Sequence, residues 1–101
     1  MDEFIRLFNR GQYFEAHEVL EAVWLKETGA SRNFYQGLIQ LAAMFVHLQK
    51  GNPTGGAEAL YEKAKKHLTP YGPEYGGFRI PELLSEAARS LREGTTGMQL
   101  G

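Results

Sequence analysis

FYQGLIQLAAMFVHL, Phe34 to Leu48, carries no Asp, Glu, Lys or Arg. Placed on a helix, its apolar residues cover nearly every direction: Phe34, Tyr35, Leu38, Ile39, Leu41, Ala42, Ala43, Met44, Phe45, Val46 and Leu48. A helix that is apolar all round belongs at the centre of a bundle or at an oligomer interface. Its polar interruption is narrow, because Gln36, Gln40 and His47 fall within about 40° of one another. The run is too short, and too interrupted by Gln40 and His47, to span a bilayer.

Working outward, the segment before this helix reads as a second one, from about Gln12 to Glu27, stopped by Thr28-Gly29. The short connection to Ser31 makes the two an antiparallel hairpin. Asp2 is positioned to cap a first helix bearing Phe4, Ile5, Leu7 and Phe8, closed by Gly11. Ser31 is placed to cap the central helix, which ends near Gly51, and Asn52-Pro53 restarts the chain as N-cap and first helical residue. Ala57, Leu60, Tyr61, Ala64 and Leu68 form the apolar stripe of the fourth helix. TPYGPEYGGFR, Thr69 to Arg79, is too rich in proline and glycine for regular structure. It reads as an irregular crossover tacked down by Tyr71, Tyr75 and Phe78. Pro81 opens a fifth helix with Leu83, Leu84, Ala87, Ala88 and Leu91. The expected fold is all-α: one bundle of about five helices built from antiparallel helical hairpins. Residues 1–94 make the domain, and residues 95–101 a flexible C-terminal tail, frayed or packed on a neighbour.

Composition narrows the function classes. With 101 residues and 43% apolar content the chain is long enough for a single core. A formal net charge of -1, with both signs mixed along the chain, leaves no cationic stripe for phosphates, so no nucleic acid and no membrane surface is expected as partner. The absence of cysteine excludes disulfides, thiolate catalysis and Cys-ligated metal centres. MDEFIRLFNR lacks the basic start and apolar run of a signal peptide, and a cytoplasmic location is expected.

The chemistry-bearing residues lie on the second and third helices. His17, Glu21 and Trp24, spaced i, i+4, i+7, form one stripe beside the apolar face. If the hairpin pairs symmetrically about Gly29, Glu21 is level with Gln36 and His17 with Gln40, close enough to hydrogen-bond across the seam. On that register His47 stands roughly 10 Å beyond Gln40 and does not join them. Three readings are open for this cluster: a hydrogen-bonded structural network, a metal site, and a small-molecule or catalytic pocket. The metal reading is the weakest on geometry. HEVLE, His17 to Glu21, lacks the second histidine of the zincin pattern, and His17 and Glu21 supply two ligands at most. It is also not the Glu-x-x-His of di-iron bundles. No cofactor is expected. Glu18 sits away from His17, lining an opening or facing solvent. Trp24 and His67 read as packing residues. Arg32 reads as a solvated arginine or a partner for a carboxylate near the loop. GNPTGG lacks the lysine and the preceding strand of a phosphate loop, and no Ser/His/Asp constellation can be argued from spacing.

Two stretches taken together, FNRGQYFEAHE with Glu21 and Trp24, and FYQGLIQLAA with His47, Gly51, Asn52 and Ala57, resemble a known family. It is the small all-helical family catalogued as domain of unknown function number 309, and the likeness runs from about Phe4 to Leu84. The resemblance implies an all-helical fold and motif positions at His17, Glu18, Glu21, Trp24, Gln36, Gln40 and His47. It supplies no reaction. GFRIP, Gly77 to Pro81, follows the family pattern loosely, with Arg79 where an acid often stands. NRGQYFEAHEVL is also similar to the turn of a tetratricopeptide repeat, here between helices 1 and 2, though no second repeat follows.

Two function classes remain. The first is a non-catalytic helical module that binds a protein partner or associates with itself, its polar seam specifying the packing. The alternative is a small enzyme or ligand binder using His17, Glu18 and Glu21 in a cleft, with or without a divalent metal. They differ in whether those side chains reach solvent through a pocket or are sealed by Trp24 and the first helix.

Overall fold

The computed structural model describes residues 1–51 and 56–101. Among these residues five α-helices follow in order: α1 (Asp2–Asn9), α2 (Tyr13–Lys26), α3 (Arg32–Gln49), α4 (Gly56–Leu68) and α5 (Ile80–Glu93). The expected start of the fourth helix at Asn52-Pro53 lies outside the described residues. Among the described residues, no helix is long and apolar enough to cross a membrane.

Two helix starts differ from expectation. Met1, not Asp2, is the N-cap of α1; Asp2 sits in the first turn with Glu3, where a carboxylate still favours the positive end of the helix dipole. Ser31 precedes α3 in a helical conformation and makes no capping bond. Its Oγ lies 2.6 Å from the Tyr75 hydroxyl instead, so a tertiary partner has taken the side chain that local geometry would have used.

The central position of α3 follows from its composition. Leu38, Ala42, Met44 and Phe45 are at most 1% exposed, because α2 packs on one side and α4 on another. The α3–α4 approach depends on Gly37. A Cβ built there would fall 2.5 Å from Leu68 Cγ, closer than real atoms pack, and a tight 3.3 Å from His67 Cβ. Small residues at a crossing let backbones approach, and here the space is filled by Leu68 itself.

Aromatic rings close both ends of the molecule. Phe8 packs edge-on against Tyr13 at 4.9 Å and Phe45 at 5.2 Å between ring centroids, tying α1, α2 and α3 together. At the other end Phe34 meets Tyr75 at 4.8 Å and Tyr71 at 5.5 Å, which fastens the crossover to the start of α3. That crossover contains a single 3-10 turn (Thr69–Tyr71) and a two-residue antiparallel ladder, β1 (Glu74–Tyr75) against β2 (Phe78–Arg79). The Tyr71 hydroxyl also donates to the Ala30 carbonyl at 2.6 Å, reaching the loop between α2 and α3.

The segment after α5, expected as a flexible tail, is docked in the structure. Gly94, at φ 68°, ends the helix in the left-handed region, and the Thr95 N–H donates to the Ser90 carbonyl. The chain then returns to α1, where Met98 and Leu100 are buried. Two apolar side chains in seven residues provide a reason to pack that a purely polar tail would lack.

Candidate functional site: the seam between α2 and α3

α2 presents His17, Glu21 and Trp24 toward α3, and two hollows lie along the line where the helices meet. One, of about 200 Å³, is lined by Glu21, Trp24, Gln36, Ile39 and Gln40. The other, of about 150 Å³, is lined by Phe14, His17, Ala43, Val46 and His47. Residue numbers fall along α2 as they rise along α3, as helices of opposite direction require.

The hollows agree with symmetrical pairing about Gly29 at Glu21 and depart from it at His17. Glu21 shares a hollow with Gln36 and Gln40, whereas His17 lines the other hollow with Ala43, Val46 and His47. The cause is the lean of helical side chains. Each tilts toward its own N-terminus, so a given level is reached by a residue about one position further along each helix. In antiparallel helices the two offsets add. His47, placed out of reach by sequence geometry, therefore shares a hollow with His17. Its ring packs over Gly56, where a Cβ would fall 2.9 Å from His47 Cε1.

Gln40 turns to a different histidine. His67 Nδ1 lies 2.8 Å from Gln40 Oε1, bridging α3 and α4. His17 Nε2 stands 3.8 Å from Glu21 Oε2, beyond hydrogen-bond length, and the Glu21 side chain is 48% exposed. The Glu21 carboxylate is thus solvated and needs no network to balance burial. Among the described residues, two atoms on the seam are buried without a hydrogen-bond partner, His17 Nδ1 and Trp24 Nε1. Such atoms are uncommon in folded proteins, because each forgoes water without replacement. Among the described residues, no three of His, Cys, Asp or Glu are grouped to hold a metal ion.

Arg32 has a role that spacing did not reveal. Its Nη1 donates to the carbonyls of Trp24 and Glu27, both at 2.9 Å, adding a second bond at the Trp24 oxygen, which already accepts the Glu27 N–H at the end of α2. The same guanidinium lies 4.2 Å above the Trp24 ring, a cation–π arrangement. An arginine just past a helix stop was the available signal; carbonyls rather than a carboxylate are its acceptors.

The outer edge of the seam is apolar at its ends and acidic between. Phe14 is 55% and Leu25 67% exposed. With Glu18 and Glu21 they form one i, i+4, i+7, i+11 stripe. Glu15 and Glu18 are exposed and, among the described residues, have no ion-pair partner. A larger hollow of about 540 Å³ lies elsewhere, between α4 and α5, lined by Glu58, Tyr61, Leu91 and Arg92 among others. No sequence signal marked it.

No solved structure matches the chain. Over 54 residues it is 37% identical to an uncharacterized protein of Aquifex aeolicus (strain VF5). That match takes in 52% of this chain but 16% of the relative, so the chain corresponds to a small part of that longer protein. Residues 1–59, which hold α1 to α3 and both hollows of the seam, match the model of the family described as Domain of unknown function (DUF309), and the chain belongs to that family.

Proposed function

We propose that this chain acts in the cytoplasm as a non-catalytic interaction module, and that the α2/α3 seam receives an amphipathic partner helix with a basic flank. The observation that carries this reading is the stripe on α2. Phe14 and Leu25 are exposed about 16 Å apart along the helix, with Glu18 and Glu21 between them. Exposed apolar surface rimmed by polar residues marks interaction sites on folded proteins, and here acidic residues lie between the two apolar ends. A helix laid along the groove would set apolar anchors at both ends and offer Lys or Arg to the glutamates. Self-association through the same stripe in antiparallel fashion would oppose Glu18 to Glu21 of the second copy, which disfavours it.

A small-molecule site built on His17, Glu18 and Glu21 is the second reading, favoured by the unpartnered His17 Nδ1 and Trp24 Nε1. Hollows of about 150 and 200 Å³ are below the roughly 300 Å³ at which ligand pockets usually begin. That makes the partner-helix reading the stronger.

Fluorescence anisotropy with a labelled helical peptide tests it, using leucines at i, i+4, i+7 and i+11 flanked by lysines. Saturable binding is expected, weakened roughly tenfold or more by Phe14→Asp together with Leu25→Asp. Replacing the peptide's lysines by glutamates should abolish it. Equal binding of the acidic and basic peptides, or none of either, overturns the reading.

A further inference from the structure

The segment after α5 is held as a bound peptide would be. Asn9 clamps both backbone groups of Leu100: its Oδ1 accepts the Leu100 N–H at 2.6 Å, and its Nδ2 donates to the Leu100 carbonyl at 2.9 Å. The Tyr13 hydroxyl accepts the Gly97 N–H at 3.2 Å, and Gln99 Nε2 donates to the Asn9 carbonyl at 3.2 Å. Met98 and Leu100, two residues apart, are 9% and 7% exposed while Gln99 between them stays out. Reading the backbone with side-chain donors and acceptors, and alternate side chains with apolar seats, is how proteins recognise extended peptides. The seat belongs to α1 and the start of α2, inside the family match at residues 1–59, and the occupant lies outside it.

We propose that this corner of α1 and α2 is a docking seat for an extended apolar–polar–apolar segment. Residues 97–100 of the same chain fill it, and it also takes the same residues of a second copy. Every contact named above joins segment to seat across 84 or more residues of sequence, so an identical segment from another copy reproduces all of them. Exchange of that kind adds and removes no contact in the seat. Only Gly94 to Thr96, all exposed, separate α5 from the docked residues, and Gly94 already holds the left-handed turn that redirects the chain. Within one chain the tether supplies an effective concentration on the order of millimolar, so closure in cis dominates in dilute solution and exchange grows as the protein concentration approaches that value.

Two full-length variants separate seat from segment. Asn9→Ala with Tyr13→Phe removes the polar clamp and keeps the Tyr13 ring in the core. Met98→Ser with Leu100→Ser leaves the seat intact and its own segment unable to fill it. Mixed at equal concentrations up to about 1 mM and followed by sedimentation velocity, they should form a 1:1 complex. That complex should be roughly tenfold or more tighter than the self-association of either variant alone. A mixture that sediments as the sum of its parts, with both variants folded by circular dichroism, overturns the proposal. If either double variant fails to fold, wild-type protein mixed from isotope-labelled and unlabelled copies gives the same decision. An intermolecular NOE between the Asn9 side-chain amide and Leu100 at millimolar concentration supports exchange, and its absence there sinks it.

Discussion

At the scale of single residues, hydrogen-bond partnership rather than proximity separates the seam's polar groups. Gln40 lines the hollow beside Glu21, yet its amide oxygen is engaged by His67 on α4. A part-buried bond of this kind is worth about 1 kcal/mol net, and stranding one partner costs somewhat more. Gln40→Leu and His67→Leu should each destabilise by roughly 1–2 kcal/mol in urea unfolding. The double variant should lose less than the sum, with a coupling of about 0.5 kcal/mol or more. The same cycle between Gln40 and His17 should show additivity, since no bond joins them. Coupling to His17 and none to His67 would show that the pairing drawn here is wrong.

At the scale of elements, the α3–α4 crossing is set by one absent side chain. Gly37 sits mid-helix, where glycine costs about 1 kcal/mol relative to alanine on propensity alone. Adding a methyl group there forces it onto Leu68, which is wholly buried and cannot swing away. Gly37→Ala should therefore destabilise despite its better propensity, by about 1–3 kcal/mol, as overpacking does. Leu68→Ala in the same chain makes room, and adding Gly37→Ala to that background should cost much less than it does alone. Thermal or urea unfolding of the four proteins checks this. An increase in stability for Gly37→Ala alone would show that the crossing opens freely.

At the scale of the whole molecule, the two aromatic clusters and the docked segment close the bundle. The segment after α5 has buried side chains, so it behaves as part of the core. Leu100→Ala should lower global stability by about 2 kcal/mol, in the lower range for a buried leucine. Phe14→Ala, at an exposed site, should stay within about 0.5 kcal/mol of the parent. Chemical denaturation of both reads this directly. Equal effects at the two positions would mean that residues 98–100 do not bear on folding.

Much of this architecture was legible in the residues. Apolarity all round Phe34–Leu48 implies a central helix, because such a helix has no face to give to water. Prolines and glycines between Thr69 and Arg79 exclude a long regular element, since φ and backbone donors are constrained locally. Those features depend on neighbours in sequence, and sequence carries them. The docking of Met98 and Leu100, the partner of Gln40, the acceptors of Arg32 and the hollow that His17 shares with His47 depend on which surfaces arrive opposite one another. Side-chain lean on two antiparallel helices brings His17 to the hollow of Ala43 rather than level with Gln40, which periodicity on either helix cannot reveal. Hydrophobic pattern thus determined which elements form and which is central. Tertiary packing alone decided the register between them, because side-chain lean and the close approach at Gly37 act only once two helices are in contact.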